Sequence, residues 1–186
     1  MNIVLIGPIA TGKTTLAALL SQKLNKPLVE VDEVRWEYYK EMGFDGEKSN
    51  QIREQEGVLA VVKYWKPFEA YAVEKILQTQ DQAVVEFGGG HSVYEDPILF
   101  EQVKVALAPH KVILILPTND AAENHRILNE RITADGFFSD EVSALNQHFI
   151  EHPSNTLLAD HIFYTHGQTP EESAEALIST LDLKNL

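Results

Sequence analysis

Gly7-Pro8-Ile9-Ala10-Thr11-Gly12-Lys13-Thr14 directly follows the apolar run Ile3-Val4-Leu5-Ile6 and reads G-x-x-x-x-G-K-T. A strand, this loop and then a helix, in that order, form a phosphate-binding loop. The glycines let consecutive main-chain N–H groups turn inward around a phosphate chain with no Cβ in the way, and Lys13 brings a charge to the β- and γ-phosphates. Thr14 carries a hydroxyl suited to Mg²⁺, and Thr15 continues the nucleotide-binding run. The helix that starts near Lys13 aims its positive end at the anion. A mere tight turn between strand and helix is the plainer reading, and the order of the elements argues against it.

The rest of the chain bounds what such a loop can serve. A length of 186 residues suits one well-cored domain. With 44% hydrophobic and 23% charged residues the composition is globular, and no run approaches the ~20 apolar residues of a membrane span. Met1-Asn2-Ile3-Val4 shows no basic leader or cleavage site, so the expected location is the cytoplasm. With no cysteine, disulfides, thiolate catalysis and Cys-type zinc sites are excluded. A formal net charge of −13 repels a polyphosphate backbone, so the expected partner is a small-molecule acceptor, not nucleic acid or a membrane. The chain is expected to act as a monomer or homodimer.

Short apolar runs alternate with longer amphipathic stretches, which predicts an α/β fold: a three-layer P-loop architecture with a five-stranded parallel sheet, flanking helices and a small lid. The strand candidates are residues 2–6, 28–31, 82–87, 111–116 and 161–164. Helices are expected over 13–24, 33–42, 48–79 with a break near Pro67, 97–108, 119–132, 140–151 and 170–182. Thr169, Pro170 and Glu172 spell a capping box for the last of these. Thr133 to Ser139 is the least regular stretch, and a mobile lid is expected at about 132–140.

In an open parallel sheet, ligands gather at the carboxyl ends of the strands. The second strand ends in Val29-Glu30-Val31-Asp32-Glu33, and period-two alternation puts Glu30 and Asp32 on one face. Together with Thr14 these carboxylates can hold Mg²⁺, and Asp32 can accept a proton from an attacking hydroxyl; helix capping is the alternative role for Asp32. The third strand runs into Gly88-Gly89-Gly90-His91. Three glycines make sense where a ligand approaches the main chain, though a flexible turn has the same composition. His91 can hydrogen-bond a substrate hydroxyl or sit as an ordinary surface polar residue.

These motifs resemble the shikimate kinase family, P-loop small-molecule kinases with the nucleoside-monophosphate-kinase fold. The family's loop is G-x-x-G-x-G-K-[ST], with Ala10 here at its middle glycine. Its D-x-D is matched by Glu30-Val31-Asp32 and its G-G-G by Gly88-Gly89-Gly90. The resemblance puts Asp32 on the carboxylate that meets the substrate hydroxyl and Glu30 on the metal side. The family's F-R-x-x-E is echoed by Ile52-Arg53-Glu54-Gln55-Glu56, which puts Arg53 on a substrate carboxylate. Arg126 corresponds to an arginine near adenine, and Arg131 lies close to the lid arginine without being in register. Three departures concern the acceptor. The lid's R-P-L-L is absent, Glu151-His152-Pro153 stands where a second substrate arginine is expected, and the segment from Arg53 to Gly88 is longer than the pattern, with Tyr64, Trp65, Phe68 and Tyr71 in it.

The resemblance implies an ATP- and Mg²⁺-dependent phosphotransferase acting on a hydroxyl of a small metabolite, with shikimate itself disfavoured by those departures. Lys13, Asp32 and Arg131 are the expected catalytic residues. The acceptor is expected to meet the helical segment of about 33–80. A nucleoside or nucleotide kinase, an antibiotic-modifying kinase and a nucleotide-binding regulatory ATPase remain alternatives.

Overall fold

The computed structural model describes residues 1–185; Leu186 lies outside the described part. Strands β1 (Ile3–Ile6), β2 (Leu28–Glu30), β3 (Val84–Glu86), β4 (Lys111–Leu116) and β5 (His161–Tyr164) form one sheet in the order β2-β3-β1-β4-β5. Every pairing is parallel. Because successive side chains alternate faces, each strand feeds two cores. Ile3, Leu5, Ile113 and Ile115 pack with Leu16 and Leu20 of α1 (Lys13–Leu24) and Leu177 of α9 (Pro170–Thr180). Val4, Ile6, Val85, Val112 and Leu114 point the other way, onto α4 (Val58–Thr79) and α5 (Pro97–Leu107). Each fully buried Val, Leu or Ile contributes about 1.5–3 kcal/mol, so this two-faced burial is what holds the strand ends in register.

Four expectations are corrected. The stretch 48–79 divides into α3 (Gly46–Glu56) and α4, and the break falls at Gly57, not near Pro67. Gly57 has φ 88° and ψ −179°, a conformation open in practice only to glycine. Pro67 lies inside α4 because the turns after it bury Phe68, Ala70, Val73, Ile76 and Leu77, which outweighs one lost hydrogen bond. Second, β2 stops at Glu30, and α2 (Val31–Glu41) begins at once, with Asp32 and Glu33 in its first turn where the helix dipole favours acids. Period-two alternation therefore does not relate Glu30 to Asp32. Third, α6 (Ala121–Ala134) includes Thr133 and Ala134, so the irregular part of the expected lid shrinks to 135–139 before α7 (Asp140–Glu151). Fourth, a short helix α8 (Ser154–Leu158) follows α7 where no element was expected.

Several signals hold as read. Thr169 Oγ1 accepts from the Glu172 amide at 3.2 Å while the Thr169 amide donates to Glu172 Oε2 at 2.8 Å, completing the capping box. A 3₁₀ turn at Leu183–Asn185 follows α9. Among the described residues no helix is long and apolar enough to cross a membrane.

Candidate active site

The phosphate loop leaves the central strand β1 and wraps over the start of α1. It borders a cavity of about 520 Å³, lined by Ala10 through Leu16, Arg131, Ala134, Asp135 and, from the β5–α9 side, Thr165, Gln168, Pro170 and Ser173. Lys13 is 5% exposed; its ammonium donates to Pro8 O at 2.8 Å. Burial lowers the Lys13 pKa, opposed by the negative charges of Glu86 and Asp32. Ala10 holds φ 63°, the left-handed conformation for which the resembled loop carries glycine. Arg131 Nη1 donates to Ala10 O at 3.1 Å, which puts that arginine on the cavity wall. Arg126 is instead exposed on α6 and engaged with Glu123 and Glu130, outside the lining of this cavity.

The triple glycine is demanded by close approach. A Cβ on Gly88 would overlap the Asp32 carboxylate, and one on Gly89 would stand 2.7 Å from Ile9 Cγ1. The triple glycine thus touches Asp32 through Gly88 and the phosphate loop through Gly89. Asp32 does not cap α2: Glu30 is the N-cap, and the Asp32 carboxylate accepts from Arg35 Nη1 at 2.8 Å. Arg35 also lies over the rings of Trp36 and Trp65, at 4.7 and 5.4 Å, and its Nη1 is 3.5 Å from His91 Nε2. An arginine can only donate, so a hydrogen bond at this site requires Nε2 of His91 to accept; its Nδ1 is buried without a partner. His91 is therefore not a surface polar residue: it is 1% exposed, and burial lowers its pKa despite nearby Glu69 and Asp32.

Two groups absent from the expected set complete the cluster. Lys66 Nζ, 2.7 Å from Glu69 Oε2 and 2.7 Å from Gly90 O, puts a cation directly against the triple glycine. Burial would raise the Glu69 pKa, but Lys66 and His91 hold it below the usual carboxylate value. Trp65-Lys66-Pro67-Phe68-Glu69 has the same aromatic-cation-x-x-Glu spacing as the resembled signature, which is the signal that could have found it. Arg53 is exposed on α3 and forms no ion pair among the described residues. It stands one turn past Ser49, whose hydroxyl accepts from Trp65 Nε1 at 2.8 Å, so that helix edge faces the same aromatic wall. Of the other aromatics, Phe68 is core, Tyr64 packs on it, and Tyr71 donates to Glu41 at 3.0 Å on the exterior. Glu151 is exposed and accepts from Gln147, while the His152 ring meets His148 at 5.3 Å.

Glu86, paired in register with Glu30 across β2 and β3, is 5% exposed and faces Lys13 and Thr14. Burial pushes its pKa up to about 7, with Lys13 and a hydrogen bond from Thr14 opposing and Asp32 and Glu30 adding to the rise. No group of three or more His, Asp or Glu among the described residues is arranged to hold a metal alone. Thr14, Glu30, Glu86 and Asp32 supply oxygen donors of the kind that Mg²⁺ takes.

A phosphate loop on the central strand, with a carboxylate and bare glycine backbone at the neighbouring strand ends, defines a P-loop protein of the parallel α/β class. The shikimate kinase family model matches residues 9–182, and the chain belongs to that family. It is 34% identical over 89 residues to a shikimate kinase of Sulfurihydrogenibium sp. (strain YO3AOP1), covering 48% of this chain and 47% of that one. With a shikimate kinase of Aquifex aeolicus (strain VF5) it shares 35% identity over 100 residues, 54% of this chain and 53% of that one. The matched stretches thus span about half the length of these relatives. The fold is also that of a solved shikimate kinase from Acinetobacter baumannii in complex with shikimate, with TM-score 0.67 at 19% identity over 99% of this chain and 93% of that one.

Proposed function

We propose that this protein transfers the γ-phosphoryl group of ATP to a hydroxyl of a small metabolite other than shikimate. The observation that carries this reading is the Asp32 carboxylate lying against Gly88, within electrostatic reach of Lys13. A group that can take a hydroxyl proton is thereby set beside the group that can hold phosphate oxygens. Lys13 and the loop amides would bind the β- and γ-phosphates, and Arg131 would approach the same charge from the lid side. Mg²⁺, held through Thr14 and the Glu30, Asp32 and Glu86 carboxylates, would supply charge neutralisation on the phosphates. Asp32 would orient the acceptor hydroxyl and accept its proton late, since phosphoryl transfer has a loose transition state. Gly88–Gly90, His91, Lys66 and, from α3, Arg53 would grip the rest of the acceptor. Against shikimate itself stand the acidic and imidazole side chains of Glu151 and His152 where a second cation is expected, and the Trp36 and Trp65 wall around Arg35.

Incubation with ATP, Mg²⁺ and a metabolite pool, read by mass spectrometry, is expected to yield a phosphorylated small molecule. ADP and inorganic phosphate alone would point to a hydrolysing switch instead. Lys13→Ala should abolish turnover in a folded protein. Asp32→Asn should keep ATP binding and cut transfer by roughly 10²-fold or more, and full activity in that variant would remove Asp32 from the chemistry.

A further inference from the structure

Asn146, on α7, is far in sequence from the phosphate loop and fully buried. Its carboxamide forms a two-point pair with one residue of the loop. The Ile9 amide donates to Asn146 Oδ1 at 2.7 Å, and Asn146 Nδ2 donates to Ile9 O at 3.2 Å. This is one rung of a β-ladder made by a side chain. It takes both main-chain polar groups of Ile9, so neither faces the phosphate cavity. The other side of Ile9 is closed by Gly89, and its side chain packs on the cluster of Val93, Leu145 and Phe149. The residue that follows, Ala10, has φ 63°, which an L-residue does not keep without outside restraint. If the Ile9 peptide were free to turn, Ala10 could relax to negative φ and the next peptides would rotate away from the cavity.

We propose that Asn146 is a positioning residue for nucleotide binding: by fixing both polar groups of Ile9 it holds the Ala10 turn, and so the fan of amides from Thr11 to Thr14, in the geometry that receives phosphate. Arg131 secures the adjacent Ala10 carbonyl from α6, so the two helices flanking 135–139 grip consecutive residues of the loop. The proposal rests on the nucleotide-site reading above.

The test uses Asn146→Asp and isothermal titration with ADP at pH of about 8 and about 5.5, each against wild type. An ionised carboxylate still accepts from the Ile9 amide but sets an oxygen against Ile9 O; protonated, it has the shape and the donor of the carboxamide. Burial and that carbonyl raise the pKa of the introduced carboxyl, while Lys13 on Pro8 O and Arg131 on Ala10 O lower it. The native titratable and charged groups facing this region are Glu86 beside Lys13 and Thr14, His91, Lys66 with Glu69, and His148 of α7 with Glu95, and they cancel in the ratio to wild type. The expected result is ADP affinity about tenfold or more below wild type at the higher pH, with most of the deficit recovered at the lower one. Wild-type affinity in the folded variant at both values, or a deficit that acidification leaves unchanged, would overturn the proposal. Amide exchange on the unmodified protein needs no variant: the Ile9 N–H should be protected, and free exchange there also overturns it. A wild-type protein that binds no ADP removes the nucleotide site itself, whereas wild-type binding with an unaffected variant removes only the role of Asn146.

Discussion

An ammonium and a carboxylate taken out of water together stabilise a fold only when each answers the other. Lys66 and Glu69 are both 5% exposed and 2.7 Å apart, one turn of α4 from each other, so either one alone is an uncompensated buried charge. Glu69→Leu should therefore cost about 3–5 kcal/mol in urea unfolding, and Lys66→Met/Glu69→Leu should recover most of it. A single variant as stable as wild type would show that Lys66 reaches solvent. The same pair shows what local sequence can reveal. The placing of Lys13, Asp32 and Gly88–Gly90 at strand ends was legible because each belongs to a contiguous motif beside a strand. Lys66 was not, since two stretches share the cation-x-x-Glu spacing and arginine is the more conspicuous of the two cations; only α4 packing brings Lys66 Nζ onto Gly90 O. Arg35 and Asn146 lie in no motif, and their roles arise from contacts across 3 and 137 residues of chain.

Among the elements, the strands were legible because a sheet covered on both faces asks for runs such as Lys111-Val112-Ile113-Leu114-Ile115-Leu116. Helix starts at Asp96 and Ser139 were equally plain, each accepting from amides of the helix it starts, whereas α6 begins two residues later than expected, after the Asp120 cap. The α3–α4 junction misled because proline is the stronger breaker in isolation, whereas burial of α4 after Pro67 overrides it. Gly57 then carries the whole change of direction with no side-chain cap. A Cβ there meets no steric obstacle, so the penalty of Gly57→Ala is purely conformational. At φ 88° and ψ −179° alanine should cost about 1–3 kcal/mol, read as a lowered urea midpoint with an unchanged slope. A variant as stable as wild type would mean that α3 and α4 can join through an ordinary backbone conformation. Because Ser49 on α3 holds Trp65 on α4, this junction also sets the aromatic wall around Arg35.

At the scale of the whole molecule, the order β2-β3-β1-β4-β5 brings residues near 10, 32, 88 and 131 to one rim, a convergence that follows from parallel topology once the strands are known. That rim gathers Lys13, Arg35, Lys66 and Arg131 together with Asp32, Glu69 and Glu86, in a chain with 28 acidic and only 15 basic residues. Several of the cations are committed to internal partners: Arg35 to Asp32, Lys66 to Glu69, Arg126 to Glu123 and Glu130. The surplus acids repel one another more strongly in the compact state than in the unfolded chain, where they lie farther apart. Salt screens that repulsion: the Debye length falls from about 30 Å at 0.01 M to about 10 Å at 0.1 M. The Lys66–Glu69 pair is buried and screened far less, and the exposed pairs contribute little, so added NaCl should remove repulsion faster than attraction. Stability should thus rise with NaCl across that range, by on the order of 1 kcal/mol, seen as a Tm that climbs and then levels. A Tm that falls over the same range would mean that exposed pairs such as Lys23–Glu175 outweigh the net charge.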